Sequence, residues 1–430
     1  MKRNIVFAFF KIVYFFFYTF INKLNIIMSS FGKIFKIMTF GESHAKSVGV
    51  VIDGFPSNFK ININKIQNNL DRRRPGQNII ATERNEKDKI IILSGLNNNN
   101  MSIGSPISII VNNLDQKMID YEENKLYPRP GHSDLTYKSK YTSVAESGGG
   151  RASARETLAR IIAGSIAQQY LKKIYNIEIS AIVKSIKNIS ISENYKSEFI
   201  KSPLDQDKID VESTFYKIGN YLIDNDNNKY DIKNGKFIER VETQLIDNEI
   251  MEPIICRCPD KSTAAKMISL ILKTKDAGDS LGGVVCCVIS NMPTGIGEPC
   301  FDKLNAKISH GIMSIPSCVG IEFGLGFDAS LKLGSEYNDL YNKNLKPITN
   351  NAGGINGGIS NGENIYFNVC FHPISSIKKS QTSYNYNGDE IIINQKGRHD
   401  CCVLCRATPI IEAMTAITIL DLILINNRNN

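Results

Sequence analysis

Five histidines are all the imidazole this 430-residue chain has: His44, His132, His310, His372 and His399. Two of them close stiff or glycine-bearing turns. His44 follows Gly41-Glu42-Ser43, and His132 follows Pro128-Arg129-Pro130-Gly131, where two prolines restrict the backbone. A histidine held in such a turn can point into a cleft and titrate near neutral pH, as an acid catalyst must. The plainer alternative is an exposed loop histidine with no role.

Arginines form the second group. Arg72, Arg73 and Arg74 stand together before Pro75-Gly76, Arg129 is three residues from His132, and Arg398 precedes His399 and Asp400. Arg151 and Arg155 are expected on one face of the first turns of a helix that begins after Gly148-Gly149-Gly150. Guanidinium forks match carboxylate and phosphate, and glycines before a helix N-terminus expose amides to an anion. For the triplet taken singly, a solvated charged face is the better reading. A glycine-rich stretch, residues 352–362, supplies backbone that can lie flat against a planar or phosphorylated ligand. Gly324-Leu325-Gly326-Phe327-Asp328-Ala329 mimics a dinucleotide fingerprint, but no apolar helical stripe follows it. Cys402 and Cys405 form a CxxC without a second pair at zinc spacing, which reads as coincidence, and no metal-ligand set is evident.

The elements that must position these groups follow from periodicity. Phe31 to Phe40 alternates as a strand running into Gly41, and Val48 to Ile52 reads as a second strand. A helix is expected from Ile63 to Leu70, delivering the chain into the arginine triplet, with strands at Ile90 to Leu93 and Ile107 to Val111. The clearest helix spans about Ala152 to Ile174, its small residues allowing close approach of another element. Residues 190–248 are polar and rich in Asn, Asp and Lys; they read as a surface insertion, least structured from Asp224 to Lys229. A helix at Ala264 to Leu272, a strand at Gly283 to Ser290 and a helix from about Pro409 to Ile425 complete the body, residues 29–425, before a polar tail, 426–430.

Hydrophobic residues at 42% and charged residues at 22% exclude wholesale disorder and a multi-span membrane protein. Half of the formal charge of +8 sits in residues 1–28, which carry Lys2, Arg3, Lys11 and Lys23 and no acid. The remainder is too small to argue for a nucleic-acid partner. Ile5 to Ile21 is apolar but interrupted by Lys11, and a second methionine stands at Met28. We read residues 1–28 as a leader outside the fold, an over-called start or a targeting segment, with no stable membrane association. The ten irregularly placed cysteines suit a reducing compartment. A cytoplasmic location is expected, with organelle targeting by residues 1–28 as the alternative.

Three blocks together resemble chorismate synthase of the eukaryotic type. They are Phe40 to His44 running on to Asp53-Gly54-Phe55-Pro56, Gly148 to Thr157, and Gly397 to Asp400 leading to Glu412-Ala413-Met414. Residues 72–77, 129–132, 297–302 and 352–362 fall between them in the family's order. The resemblance implies a single large α/β unit, a layered sandwich of antiparallel sheets and helices, assembled as a homotetramer. It implies 1,4-elimination of phosphate from 5-enolpyruvylshikimate 3-phosphate to give chorismate, a step toward aromatic amino acids that requires reduced FMN without net redox change. By the same resemblance His44, His132 and Asp400 are catalytic, and Arg73, Arg129 and Arg155 bind substrate. Arg151, Ala152, Ser153, Gly357, His372, Ser375, Ser376 and Arg398 then bind cofactor. This chain departs from the family pattern at His372, where lysine is common, and at Ile79, where a basic residue is usual. An NADPH-dependent flavin reductase, alone or as a second activity, would also suit the glycines and arginines. A nonenzymatic anion-binding module would leave the turn histidines and Asp400 unused.

Overall fold

The computed structural model describes residues 29–82, 86–114, 126–142, 149–241, 253–395 and 399–429. The chain divides at Ser30, and the elements named below belong to the unit that begins at Phe31. Strand β1 (Lys36–Gly41) turns through His44 into the antiparallel β2 (Ser47–Asp53). Helix α1 (Ile63–Arg73) starts at Asn62, whose side chain accepts from the Lys65 amide, and buries Ile66 and Leu70. Strands β3 (Ile90–Ser94) and β4 (Ile107–Asn112) complete a sheet in which β2 pairs with β4 and β4 with β3. Val48, Val50, Ile52, Ile107, Ile109 and Val111 bury one face of it.

Helix α2 (Asp134–Tyr141) follows His132. The expected helix from Ala152 is segmented. Ser153 is extended, at φ −71° and ψ 142°, so two 3-10 turns, Gly150–Ala152 and Ala154–Glu156, precede α3 (Thr157–Tyr170). Arg151 and Arg155 therefore sit in separate turns and not on one helical face. Strand β5 (Glu178–Ile186) leads into the polar segment, which is folded in the described part: α4 (Glu193–Lys201), α5 (Gln206–Glu212) and four antiparallel strands, β6 (Thr214–Ile218), β7 (Tyr221–Asp224), β8 (Asn228–Asp231) and β9 (Phe237–Arg240). Asp224 to Lys229, expected to be least structured, is a tight turn. Asp224 is fully buried and accepts from the amides of Asp226 and Asn228, each at 2.9 Å, and from Tyr230 Oη.

After α6 (Lys261–Asp276), the second large sheet is built from β5, β10 (Gly283–Ser290), β11 (Cys318–Phe323) and β12 (Ile365–Phe371), with β10 and β12 in the middle; α7 (Leu304–Met313) packs beside it. The last helix, α8 (Leu404–Asn429), runs between the layers. It packs on α3 on one side and on β5 and β10 on the other, while α3 in turn covers the first sheet, so the order is sheet, helix, helix, sheet. By length and composition α8 could cross a membrane, yet 89% of its apolar window is inside the fold.

α8 starts at Leu404, ahead of the expected Pro409. A proline here has no N–H for the carbonyl of Cys405, one turn back. Arg257 Nη1 supplies the missing donor to that oxygen. Deeper in the pair, a Cβ on Gly164 would lie 2.3 Å from Ala413 Cβ and 2.4 Å from its Cα. Neither is the far end of a flexible side chain, so Gly164→Ala should push α3 from α8. The expected cost is about 1–3 kcal/mol, read as a lowered denaturation midpoint; an unchanged midpoint would show that the helices can separate freely.

Candidate active site

Two arginines meet on one carboxylate. Arg73, at the end of α1, places Nη1 3.2 Å from Asp88 Oδ2, and Arg155 places its own Nη1 2.5 Å from Asp88 Oδ1. Arg155 also reaches Glu86 Oε2 at 2.5 Å and donates from Nε to Asn113 Oδ1 at 2.9 Å. Burial pushes the Arg73 guanidinium down to about 9 against the pull of Asp88, with Arg406 and Arg155 adding to the depression. Arg73 Nη2 donates to the Ala154 carbonyl at 3.4 Å, while its Nε is buried with no hydrogen-bond partner.

Asp400, half-buried just before α8, accepts from the Thr82 amide at 3.0 Å and pairs with Arg406. Arg406 Nε donates to the Arg73 carbonyl at 2.9 Å, closing Asp400, Arg406 and Arg73 into one wall. These three, with Phe371, Ile374 and Ile410, line a cavity of about 70 Å³. The loop behind Asp400 is held from α6, where Lys275 Nζ donates to the carbonyls of Ile79 at 2.8 Å and Ala81 at 3.3 Å.

The His132 turn docks on the segment after β12. Gly131 is at φ +70°, and a Cβ there would lie 2.5 Å from Ser375 Oγ, so only glycine fits. Ser375 Oγ donates to the Gly131 carbonyl, and Ser376 Oγ hydrogen-bonds His132 Nε2, both at 2.9 Å. Arg129 grips Asp134 through Nε and Nη2, both at 2.7 Å. Burial, then the Arg129 charge, push the His132 imidazole down to about 4, with His399 acting the same way and Asp134 opposing. His132 is therefore neutral at neutral pH, against the expectation that it titrates there. The ring offers hydrogen bonding without charge.

His44, also half-buried, takes a 2.9 Å hydrogen bond at Nδ1 with the buried Ser43 Oγ. Beside that turn, Arg151 donates to the Gly41 carbonyl at 3.2 Å and to Thr39 Oγ1 at 2.8 Å, with Glu156 no closer than 3.9 Å. Ala152 and Ser153 follow it in the kink before α3. His372 leaves β12 with its amide on the Ser317 carbonyl and Nδ1 2.6 Å from the Pro373 oxygen. Gly357, at φ +59°, is exposed at a hairpin turn whose neighbour Gly358 accepts from the Leu304 amide. That hairpin adjoins the Ile365 end of β12, and seven strand residues, about 20 Å, separate it from the Phe371 end that lines the cavity. The single chain does not bring Gly357 to the other residues. Arg398 lies outside the described residues.

The arginine triplet is not a solvated face. Arg72 is buried between Glu412 Oε2 at 2.6 Å and Asp210 Oδ2 at 3.2 Å, and Asp210 also holds Arg257 at 3.0 Å. Burial disfavours the Arg72 charge, but Glu412 and Asp210 outweigh it and raise its pKa. Sequence reasoning missed Asp88 and Arg406. Asp88 sits in a charged run, Glu86-Lys87-Asp88, that reads as surface; only its depth in the fold reveals it. Arg406 is hidden in the first turn of an apolar helix.

A family model described as chorismate synthase matches residues 35–424. A chorismate synthase from Schizosaccharomyces pombe is 43% identical over 93% of this chain and 96% of its own. One from Prochlorococcus marinus strain MIT 9215 is 44% identical over 93% and 97%. A solved structure titled as a chorismate synthase superposes with a TM-score of 0.64 at 24% identity, over 92% of this chain and 93% of that one, and shows the same fold.

The buried charges make two outcomes testable. Asp88→Ala strands the buried Arg73 guanidinium, leaves Arg155 with Glu86 alone, and should cost about 3–5 kcal/mol in denaturant unfolding, far more than an exposed carboxylate would. Nitrogen NMR of His132 should show a neutral ring at a pH of about 5.5, chosen between its depressed pKa of about 4 and the ordinary ~6.5. Because the unfolded chain takes up that proton first, the stability contributed by neutral His132 is complete above ~6.5 and is lost as pH falls toward about 4.

Proposed function

The chain belongs to the chorismate synthase family and is a lyase of that type, and from that premise we propose that it eliminates phosphate from 5-enolpyruvylshikimate 3-phosphate with reduced FMN bound beside the substrate. The observation that carries this reading is the wall of Arg73, Asp400 and Arg406, in which a buried guanidinium nitrogen lacks an acceptor next to a carboxylate already neutralised by its own arginine. Such a wall accepts an anionic ligand on one side and a proton on the other. Arg151 adds a second cation, since its two hydrogen bonds go to neutral oxygens.

The residues fit a phosphorylated flavin in the same sense. Ser375 and Ser376 stand against the His132 turn, and with His372, Arg151, Ala152 and Ser153 we assign them to FMN; Gly357 and Arg398 keep that assignment from the resemblance alone. Reduced FMN, when bound, supplies electron density that eases loss of the phosphate and is recovered unchanged. His44, its ring plane set by Ser43, gives a proton to the departing phosphate oxygen. Neutral His132 orients the cofactor by hydrogen bonding. The carboxylate of Asp400 serves the proton that leaves substrate C6, Arg406 balancing its charge beforehand. Arg73 grips the substrate directly, and Arg129 and Arg155 do so by exchanging the carboxylates they now hold.

The assembly belongs to the same proposal. Phe327, Leu331, Leu333, Leu345 and Ile348 are exposed within one stretch, Phe327 by 83%, and this apolar surface supports a homotetramer in which further copies would cover it. Leu331→Asp with Leu345→Asp should sediment as a smaller particle; an unchanged particle would place the interface elsewhere. We place the enzyme in the cytoplasm, where ten free cysteines persist.

The test is anaerobic turnover of the purified full chain with pre-reduced FMN, followed by chorismate absorbance and phosphate release. His44→Ala and His132→Ala should each lower turnover by more than about tenfold while the protein stays folded. Asp400→Asn should slow single turnovers more than it weakens substrate binding. No chorismate from the unaltered protein would overturn the reading. NADPH with oxidised FMN as a second arm shows whether the chain also reduces its own flavin.

A further inference from the structure

Asp210, on α5 in the polar segment, faces two arginines that stand behind the wall of Arg73, Asp400 and Arg406. Its Oδ1 accepts from Arg257 Nε at 3.0 Å and its Oδ2 from Arg72 Nε at 3.2 Å. Burial disfavours its charge, but Arg257 and Arg72 outweigh burial and hold the Asp210 carboxyl below its ordinary range. Arg257 is 1% exposed and adopts φ +58°, a left-handed backbone that a side chain of this size keeps only where its surroundings fix it. One such fixture is the Val183 amide, which donates to the Arg257 carbonyl at 2.8 Å. Arg257 is not among the residues that line the cavity.

We infer that Arg257, held by Asp210, is a positioning residue for the reaction: its guanidinium clamps the two chain segments that carry Arg73 and Arg406. The inference rests on the reading of that wall as the face that meets the substrate. Two arms leave the one planar group. Nη1 donates to the Cys405 carbonyl and so orients the peptide plane whose nitrogen belongs to Arg406. Nη2 donates to Gln77 Oε1 at 3.4 Å, which turns the Gln77 amide nitrogen toward the carbonyls of Arg72 and Arg74, each at 2.7 Å. Those two carbonyls bracket Arg73. The arms meet in the wall itself, where Arg406 Nε donates to the Arg73 carbonyl at 2.9 Å and Arg406 Nη1 pairs with Asp400.

The clamp needs the shape of arginine as well as its charge. A guanidinium directs its N–H groups in one fixed plane, and here they reach Asp210, Cys405 and Gln77 on three separate parts of the chain. An ammonium radiates its donors from one point and cannot span all three. The polar segment thereby takes part in the reaction although none of its described residues lines the cavity. Its α5 carries the carboxylate that holds the fork in place. A shift of about 1 Å transmitted from outside the reacting atoms is enough to slow an enzyme about a hundredfold.

The test compares the full unaltered chain with Arg257→Lys, Gln77→Leu, Arg406→Gln and the double variant of Arg257→Lys with Arg406→Gln. Hydrogen exchange read by mass spectrometry needs no substrate, so it tests the clamp apart from the activity. Arg257→Lys should exchange about tenfold faster at residues 72–77 and 404–408 while β2 and β4 keep their protection. Single turnovers with pre-reduced FMN then test the consequence. Arg257→Lys should slow them about ten- to hundredfold, and adding it to Arg406→Gln should slow that variant by less than about twofold further, because the loss runs through Arg406. Gln77→Leu removes one arm without stranding a charge; it should speed exchange at 72–77 and raise the substrate KM about tenfold while kcat changes less. That variant decides if Arg257→Lys does not fold. If the unaltered chain forms no chorismate, the reading of the activity falls and the exchange pattern still decides the clamp. Unaltered protection at both segments, loss of protection spread evenly over the fold, or additive losses in the double variant would overturn the proposal.

Discussion

Burying Arg72, Arg73, Arg155 and Arg257 is tolerable only if each guanidinium meets a carboxylate, because an unpaired charge inside the fold costs several kcal/mol. The carboxylates come from other elements: Asp88 and Glu86 from the loop before β3, Asp210 from α5, Glu412 from the middle of α8. That requirement binds α1, the two 3-10 turns, the polar segment and the last helix into one register. Packing of Ala413 on Gly164 sets how closely α8 approaches α3. Glu412, which meets Arg72 and also accepts from the Ala181 amide at 3.0 Å, pins α8.

The cavity inherits its character from that framework. Its arginines are already partnered, so an arriving anion competes with internal carboxylates and does not enter a bare cationic pit. Selectivity then comes from geometry, since a ligand has to offer oxygens where Asp88 does now or at the unpartnered Arg73 Nε. His132 follows the same economy of charge. Set beside Arg129 and half removed from water, it is kept neutral, and the charged work in its surroundings is left to arginine and aspartate.

Most of the framework is legible in sequence. Strand β10 falls where the run of valines places it, and α1, β2 and β4 agree with their alternation and apolar spacing to within a few residues. The motif residues are positioned by turns whose glycines and prolines are themselves visible. What periodicity does not show is pairing across the chain. Arg72 reads as solvated because its partners lie 138 and 340 residues away. Ser153 breaks the expected helix because its oxygen accepts from the Arg155 amide two residues on, a local alternative to helical bonding. The polar segment reads as a surface insertion because few of its residues carry its order, Phe215, Leu222 and the buried Asp224 among them, and composition does not report burial.

Lys275 is a case in which charge has to be counted in space and not along the chain. Residue 79, where the sequence resemblance led to the expectation of a base, is the aliphatic Ile79, and a count along the chain would record a deficit of charge there. Yet an ammonium from α6 binds the carbonyl of that same residue and of Ala81, one residue before the amide that holds Asp400. The charge at this loop is set by where a side chain arrives and not by the position that bears it. A base placed at residue 79 would therefore stand beside the Lys275 ammonium, crowding two positive charges onto one loop.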